Sequence, residues 1–425
     1  MKQTLTLAAL AGANILLTLL FQWYVITQLG VGIETDALFA GMALPALILS
    51  VVSTSLTHVL VPLLATENEI SFRQNAWGFF LGVSALFTIL ALALFTTASY
   101  WVPWLVPGFS KPAQSLTVSL TRIQLVSMIF TASVSVLWSV YHARKQFIWV
   151  ELSTVLSSLI ALVLIVKLLA IYGVAAAALV IVLRTLLQVV WLLPGLGRWQ
   201  WPQWNSTAMR EAWRRIRPLL VGTSYYRTDP LVDRFLASMA PAGGLSLLYI
   251  GQQIYGVANV VVEKALAAPM VPQLAIESAA NRWPVFRRVY QKRLLIIGGL
   301  TAVGYAIFLI AGERILNLLI GHGGVTRDNV HLLWLIMVAL VGFFIGGAMG
   351  QITSATFYAM GDTRTPTRMS IVTYTLYVPA KVIGFMRYGL MGLAVVTSIY
   401  LFVNLIIQIL LLEGFVIPRR QRQTA

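Results

Sequence analysis

The chain has 425 residues, of which 59% are hydrophobic and only 10% charged, with a mean hydropathy of +0.83 and a formal net charge of +16. A soluble domain carries about 25% charged residues, so this composition excludes one and describes a polytopic membrane protein. The lack of cysteine excludes disulfides, cysteine metal sites and thiol catalysis, and His58, His142, His322 and His331 are too scattered for a metal centre.

A window of about 19 residues predicts an all-α membrane fold of about twelve spans. In chain order these cover residues 5–28, 36–65, 77–99, 116–141, 150–170, 174–194, 216–239, 245–276, 294–319, 330–359, 369–385 and 390–413. Met1-Lys2-Gln3 runs into an apolar segment longer than a signal-peptide core, without a small-residue cleavage site, which reads as a retained first span. Basic clusters fall at Arg144-Lys145, at Arg210, Arg214, Arg215 and Arg217, at Arg282, Arg287, Arg288, Lys292 and Arg293, at Arg364 and Arg368, and at Arg419, Arg420 and Arg422. With twelve spans all of them share one side, so both termini are expected in the cytoplasm. The opposite connections, such as Tyr100-Trp101-Val102-Pro103-Trp104, are aromatic or rich in Gly and Pro. The positive charge therefore reports topology and attraction to membrane lipids, with no nucleic-acid partner.

The chain also repeats itself. Shifted by 210 positions, Val61-Pro62-Leu63-Leu64-Ala65 falls on Val271-Pro272-Gln273-Leu274-Ala275 and Phe39 on Tyr249, while Tyr172-Gly173-Val174 echoes Tyr388-Gly389-Leu390. This predicts a six-helix lobe at 1–197, a basic cytoplasmic linker at 198–215, a second six-helix lobe at 216–413 and a basic tail at 414–425. Six spans is an even number, so the halves share an orientation and a polar site is expected at their interface.

Span seven is the anomaly, with Arg227, Asp229, Asp233 and Arg234 in one apolar stretch. An ionisable group at bilayer depth costs about 2.5–3.5 kcal/mol on insertion scales, so four of them imply a sheltered, watery interior and a path for something polar. At about 100° per residue, Arg227 and Arg234 share one helix face and Asp229 and Asp233 lie on the far side. Pro230 removes a backbone hydrogen bond and is expected to kink the span between them. Arg227 is the first candidate for a phosphate or sugar ligand, because guanidinium binds phosphate oxygens bidentately. Asp233 and Arg234 are further candidates, with pairing between neighbouring helices as the structural alternative.

Several motifs resemble the MurJ (MviN) lipid II flippase family. They are Thr35-Asp36-Ala37-Leu38-Phe39 with Leu44-Pro45, the Val61-Pro62 exit of span two, Pro107-Gly108-Phe109, Val232-Asp233-Arg234 with Leu236-Ala237-Ser238, and Tyr358 through Gly361-Asp362-Thr363-Arg364-Thr365-Pro366. The family belongs to the multidrug/oligosaccharidyl-lipid/polysaccharide exporter superfamily. The resemblance implies two six-helix lobes around a cavity lined by spans one, two, seven and eight. It also implies a flippase that moves an undecaprenyl-diphosphate-linked saccharide from the cytoplasmic to the outer leaflet of the bacterial inner membrane. Where the family carries functional arginines in spans one, two and eight, this chain has Phe21, Leu49 and Gln253, and the span-one motif becomes Leu20-Phe21-Gln22-Trp23. The family typically has two more spans, which help form a lipid-tail groove. These departures place an exopolysaccharide or other cell-envelope glycan precursor beside peptidoglycan lipid II as the expected cargo.

Span eight holds Glu263-Lys264, where the resembled family has small or aliphatic residues. Lys264 can replace a lost arginine as a diphosphate partner, and Glu263, with Asp229, is the candidate for a coupling proton or cation. Neutralisation by span-seven charges or snorkelling to the cytoplasmic face explains the pair equally well. Asp36, at the outer mouth of span two, either gates the exit or caps a helix N-terminus. Gln22, Gln28, Gln252 and Gln253 offer uncharged groups for sugar hydroxyls or for bridging helices. Arg122, Arg184 and Lys381 are expected near the membrane interfaces, and Trp101, Trp104, Trp199, Trp201 and Trp204 form interfacial belts.

No nucleophile motif, phosphate-cradling glycine loop or metal cluster is present, so no enzyme, cofactor or metal is implied. The enzyme-class rival, a polytopic glycosyltransferase or ligase, would need sizeable extramembrane loops that the chain lacks. Two alternatives stay open: a cation-coupled exporter of drugs or small amphiphiles, and a non-transporting scaffold among glycan-assembly proteins.

Overall fold

In the computed structural model, which describes residues 2–418, every regular element is helical. Inside lipid each backbone N–H and C=O must find its partner within the segment, which leaves apolar stretches of this length no other fold than helix. The basic tail at Arg419, Arg420 and Arg422 lies outside the described residues.

One compact unit covers Met1–Leu245. It contains α1 (Lys2–Leu29), α2 (Ile33–Gly41), α3 (Ala43–Ala65), α4 (Glu69–Leu105), α5 (Lys111–Ala143), α6 (Phe147–Tyr172), α7 (Val174–Leu192), α8 (Thr207–Ser224) and α9 (Asp229–Ala237). Helix starts follow their local chemistry: the Asn68 side chain accepts from the Ser71 N–H at 2.9 Å ahead of α4, and Pro112 occupies the first turn of α5, where its missing donor is not needed. Leu60, Leu64, Phe79, Leu137, Val140 and Leu192 pack a core shared by α3, α4, α5 and α7, and α8 joins it through Ala208 and Ala212.

The other unit, Ser246–Ala425, comprises most of α10 (Gly244–Val262), then α11 (Ala268–Ala279), α12 (Trp283–Ile320), α13 (Arg327–Ala339), α14 (Val341–Ala359) and α15 (Arg364–Leu411). Its core gathers Met270, Leu274, Phe286, Tyr290, Ile352 and Phe357. The division between the units falls inside α10, so α8 and α9 group with the elements that precede them, α9 lying against α3 and α4.

Among the described residues the helices are compatible with the expected twelve spans. Nine helical stretches among the described residues are long and apolar enough to cross a membrane, and α13 with α14, bent by 42°, forms a tenth. The 48 residues of α15 hold two spans, because Gly389 interrupts the helix at φ 58°, ψ −142°. The last is the charged pair α8 and α9, whose arginines and aspartates keep it from reading as an ordinary apolar span.

Gly389 also bears on the internal repeat. Gly173, between α6 and α7, adopts φ 56°, ψ −145°, nearly the same conformation at the echoed position of the other half. This region is essentially restricted to glycine, since a Cβ there costs on the order of 1–3 kcal/mol. A Cβ at Gly389 would meet no atom within 4 Å, so any penalty is backbone strain alone. Gly389→Ala is therefore expected to lower stability by about 1–3 kcal/mol. Gly12→Ala, at an equally open helical glycine, is expected to raise it by roughly 0.5–1 kcal/mol. Thermal melting of the purified variants checks both signs.

Candidate substrate site

Span seven is broken at its charges. Helix α8 ends at Ser224, a 3-10 turn over Tyr226–Thr228 carries Arg227, and α9 starts at Asp229. Pro230 lies in the first turn of α9, where its lack of an N–H leaves no bond unmade, so the expected kink appears as a break just before the proline. Arg227 is half-buried, its Nε is buried without an acceptor, and it makes no ion pair among the described residues. Asp233 and Arg234 are only 2% and 5% exposed. Both they and the half-buried Asp229 are engaged by neighbouring groups.

Asp36 is pulled to the same end of the unit. The entry to α2 is secured by Thr35, whose Oγ1 accepts from the Gly32 N–H at 3.1 Å and contacts the Gly32 and Gly30 carbonyls at 3.0 and 3.2 Å. That leaves the Asp36 carboxylate, 2% exposed, to accept from the Gly243 N–H at 2.6 Å in the turn that follows α9. Alongside, the Gly108 N–H donates to Ser238 Oγ at 3.3 Å. A Cβ on Gly108 would come within 2.4 Å of Met239 Cα and the Ser238 carbonyl, so only glycine admits this approach. The start of α2, the loop between α4 and α5, and the end of α9 thus meet around a cavity of about 170 Å³ lined by Ile33, Asp36, Phe109 and Ser238.

Other predicted residues are distributed between the units. Gln22 is half-buried in α1 and engaged by neighbours, and Gln28 is exposed. In the other unit Gln252 is half-buried and engaged, and Gln253 Nε2 donates to the Tyr249 hydroxyl at 2.6 Å. Glu263 and Lys264 open a five-residue π turn at Glu263–Ala267, a local widening that recurs at functional sites. Both are exposed and form no ion pair among the described residues.

Two cations depart from the interfacial expectation. Lys381 is 0% exposed, with Nζ 4.7 Å from the centre of the Tyr377 ring, because α15 folds its second half back over that position. Arg184 stands at mid-length of α7 and lines two cavities inside the first unit. The larger, a half-open pocket of about 380 Å³, is lined by α1, α3, α5, α6 and α7 and carries Asn14, Gln124, Ser127, Thr131, Thr154 and Gln188 on its wall. This chamber was missed from sequence, although Gln124, Ser127, Thr131 and Ser135 form a polar stripe at helical spacing on α5.

The family model described as lipid II flippase MurJ matches residues 25–416. The chain belongs to that family. A probable lipid II flippase MurJ from Vibrio cholerae is 22% identical over 208 residues, which is 49% of this chain and 39% of that protein. One from Rickettsia prowazekii is 20% identical over 371 residues, covering 83% of this chain and 71% of the relative. The matched region thus spans less than half of the Vibrio cholerae relative. Among solved structures, a lipid II flippase MurJ in an inward closed conformation superposes with a TM-score of 0.83 at 16% identity, over 97% of this chain and 88% of the other. An inward-facing multidrug resistance MATE family transporter of the MOP superfamily gives 0.79 at 16% identity, over 97% and 96%. These likenesses establish the fold. Phe21 lines the smaller cavity beside Arg184 and Leu49 the larger one.

Proposed function

We propose that the chain is a flippase for an undecaprenyl-diphosphate-linked saccharide, either lipid II or another cell-envelope glycan unit. It works by alternating access in the bacterial cytoplasmic membrane, with both termini in the cytoplasm. The observation that carries this reading is the family match over residues 25–416, joined to a span whose helix is broken at Arg227. A guanidinium at a helix break, half-buried and without an ion pair among the described residues, suits a diphosphate better than it suits a hydrocarbon cargo. Lys264 and Arg234 supply further positive charge, and Gln22, Gln252 and Gln253 suit sugar hydroxyls. Asp36 and Asp233 serve the outer end, and Glu263 and Asp229 are the groups for a coupling proton or cation. The polyprenyl tail stays in lipid, and no catalytic step is required.

Depletion of the protein, followed by profiling of lipid-linked intermediates on each leaflet, tests the reading. Accumulation of one glycan lipid on the cytoplasmic leaflet is expected. Unchanged leaflet distributions together with altered drug sensitivity would replace the flippase by the exporter.

A further inference from the structure

Away from Arg227, the first unit places Arg184 of α7 beside two cavities. Arg184 presents five N–H donors, and among the described residues it has neither an ion pair nor a hydrogen-bonded acceptor. No carboxylate lines either of the cavities it borders. An arginine at mid-span without a counter-charge marks a functional site by default, since its insertion is unfavourable and nothing in the wall offsets it.

The rest of the wall is biased the same way. Asn14 Oδ1 accepts from Ser158 Oγ at 2.8 Å, which commits the amide's acceptor to α6 and leaves its NH₂ to donate elsewhere. The Ser53 hydroxyl and the Trp138 indole N–H are buried and have no hydrogen-bond partner. Gln188 Nε2 donates to Thr154 Oγ1 at 2.7 Å and Gln124 Nε2 to the Leu38 carbonyl at 3.1 Å, so these amides are held in place by the bundle itself. Among the described residues, Gln124 Oε1 is a buried acceptor without a partner on this wall, and the Ser53 hydroxyl can either donate or accept. Donors from α1, α3, α5 and α7 therefore line a half-open space of about 380 Å³, far more than the roughly 10–15 Å³ one water molecule needs.

We propose that Arg184, with Asn14, Ser53 and Trp138, forms an oxyanion site inside the first unit that takes a diphosphate group. A planar guanidinium and several neutral donors match phosphate oxygens, whereas a metal cation or ammonium would face the positive charge and find no carboxylate. That the natural occupant is the headgroup of a polyprenyl diphosphate rests on the flippase reading; the anion chemistry does not.

The test uses the full chain in nanodiscs, with inorganic pyrophosphate as probe at constant ionic strength and binding read as a saturable rise in melting temperature. The wild type is expected to bind. R184M is expected to bind at least tenfold more weakly, and R184K to keep part of the affinity. S53D, which places a carboxylate in the same cavity and leaves Arg184 in the fold, is expected to lose the response even if R184M proves too unstable to assay. In an R227A background, which removes the Arg227 guanidinium, saturable binding that still depends on Arg184 is expected. Undecaprenyl diphosphate added to the nanodisc lipid is expected to compete with the soluble probe; binding of pyrophosphate without competition overturns the lipid source. No saturable binding by the wild type, or full binding by S53D and R184M, overturns the site. If the anion site behaves as stated and depletion leaves every glycan lipid in its usual leaflet, the flippase reading alone fails.

Discussion

Arg227→Ala protein that reaches the membrane in normal amount and exports no lipid-linked glycan is the expected result of removing the guanidinium from span seven. The side chain projects from a 3-10 turn between two helices, and its Nε is buried without an acceptor. Hydrogen bonds to charged groups contribute about 1.5–3 kcal/mol each, which is about ten- to a hundredfold in affinity. A bidentate contact exceeds the lower bound, because two parallel bonds are lost together. Arg227→Lys is expected to restore part of the flux, since it keeps the charge and loses the planar fork. The measurement is the leaflet distribution of the glycan lipid in cells that carry only the variant, with membrane abundance determined in parallel. Normal export by Arg227→Ala would remove this residue from the substrate path and leave the family assignment untouched.

The second large effect is expected at Gly108. Valine there drives its Cβ into the backbone of Ser238 and Met239, which a side-chain rotation cannot relieve. Overpacking of this kind costs typically about 1–3 kcal/mol, and the relaxation open to the chain is separation of the α4–α5 loop from the end of α9. The cavity around Asp36 shares that boundary, so Gly108→Val is expected to lose both melting temperature and export. Asp36→Ala, which removes the 2.6 Å acceptor for the Gly243 N–H without a backbone clash, is expected to show the smaller drop of the two. Gly12→Val, at a glycine with open surroundings, is the control for glycine replacement itself. Equal melting of Gly108→Val and wild type would show that the close approach does not hold in the native protein.

Much of the architecture was legible because membrane insertion writes it into composition. The apolar runs, the basic clusters between them and the Tyr-Gly pairs at 172–173 and 388–389 are local signals, and the two glycines prove to share one backbone conformation. The charged anomaly of span seven was equally visible. Its shape was not, since a proline inside an apolar run is compatible both with a kinked helix and with a helix that restarts there, and packing decides between them. Arg184 and Lys381 show the limit from the other side. Each is a single charge in an apolar span, for which the cheapest reading from sequence is snorkelling to an interface. Arg184 takes its surroundings from helices far away in the chain, such as α1 and α5, which no window along the sequence contains. Lys381 is covered by the returning second half of its own α15, a fold-back that hydropathy does not specify.

By itself the sequence determined that this is an all-helical, multi-pass membrane protein with a charged seventh span and a family resemblance carried by short motifs. Hydropathy, charge and turn chemistry act between near neighbours, so they can be read in order along the chain. Only the tertiary structure decided that Asp36 reaches the turn after α9, that Gly108 lets a loop touch that helix, and that Arg184 faces a chamber of donors. Those facts depend on which helix faces turn toward one another, and in an apolar environment close packing and polar pairing settle that choice across the whole bundle at once.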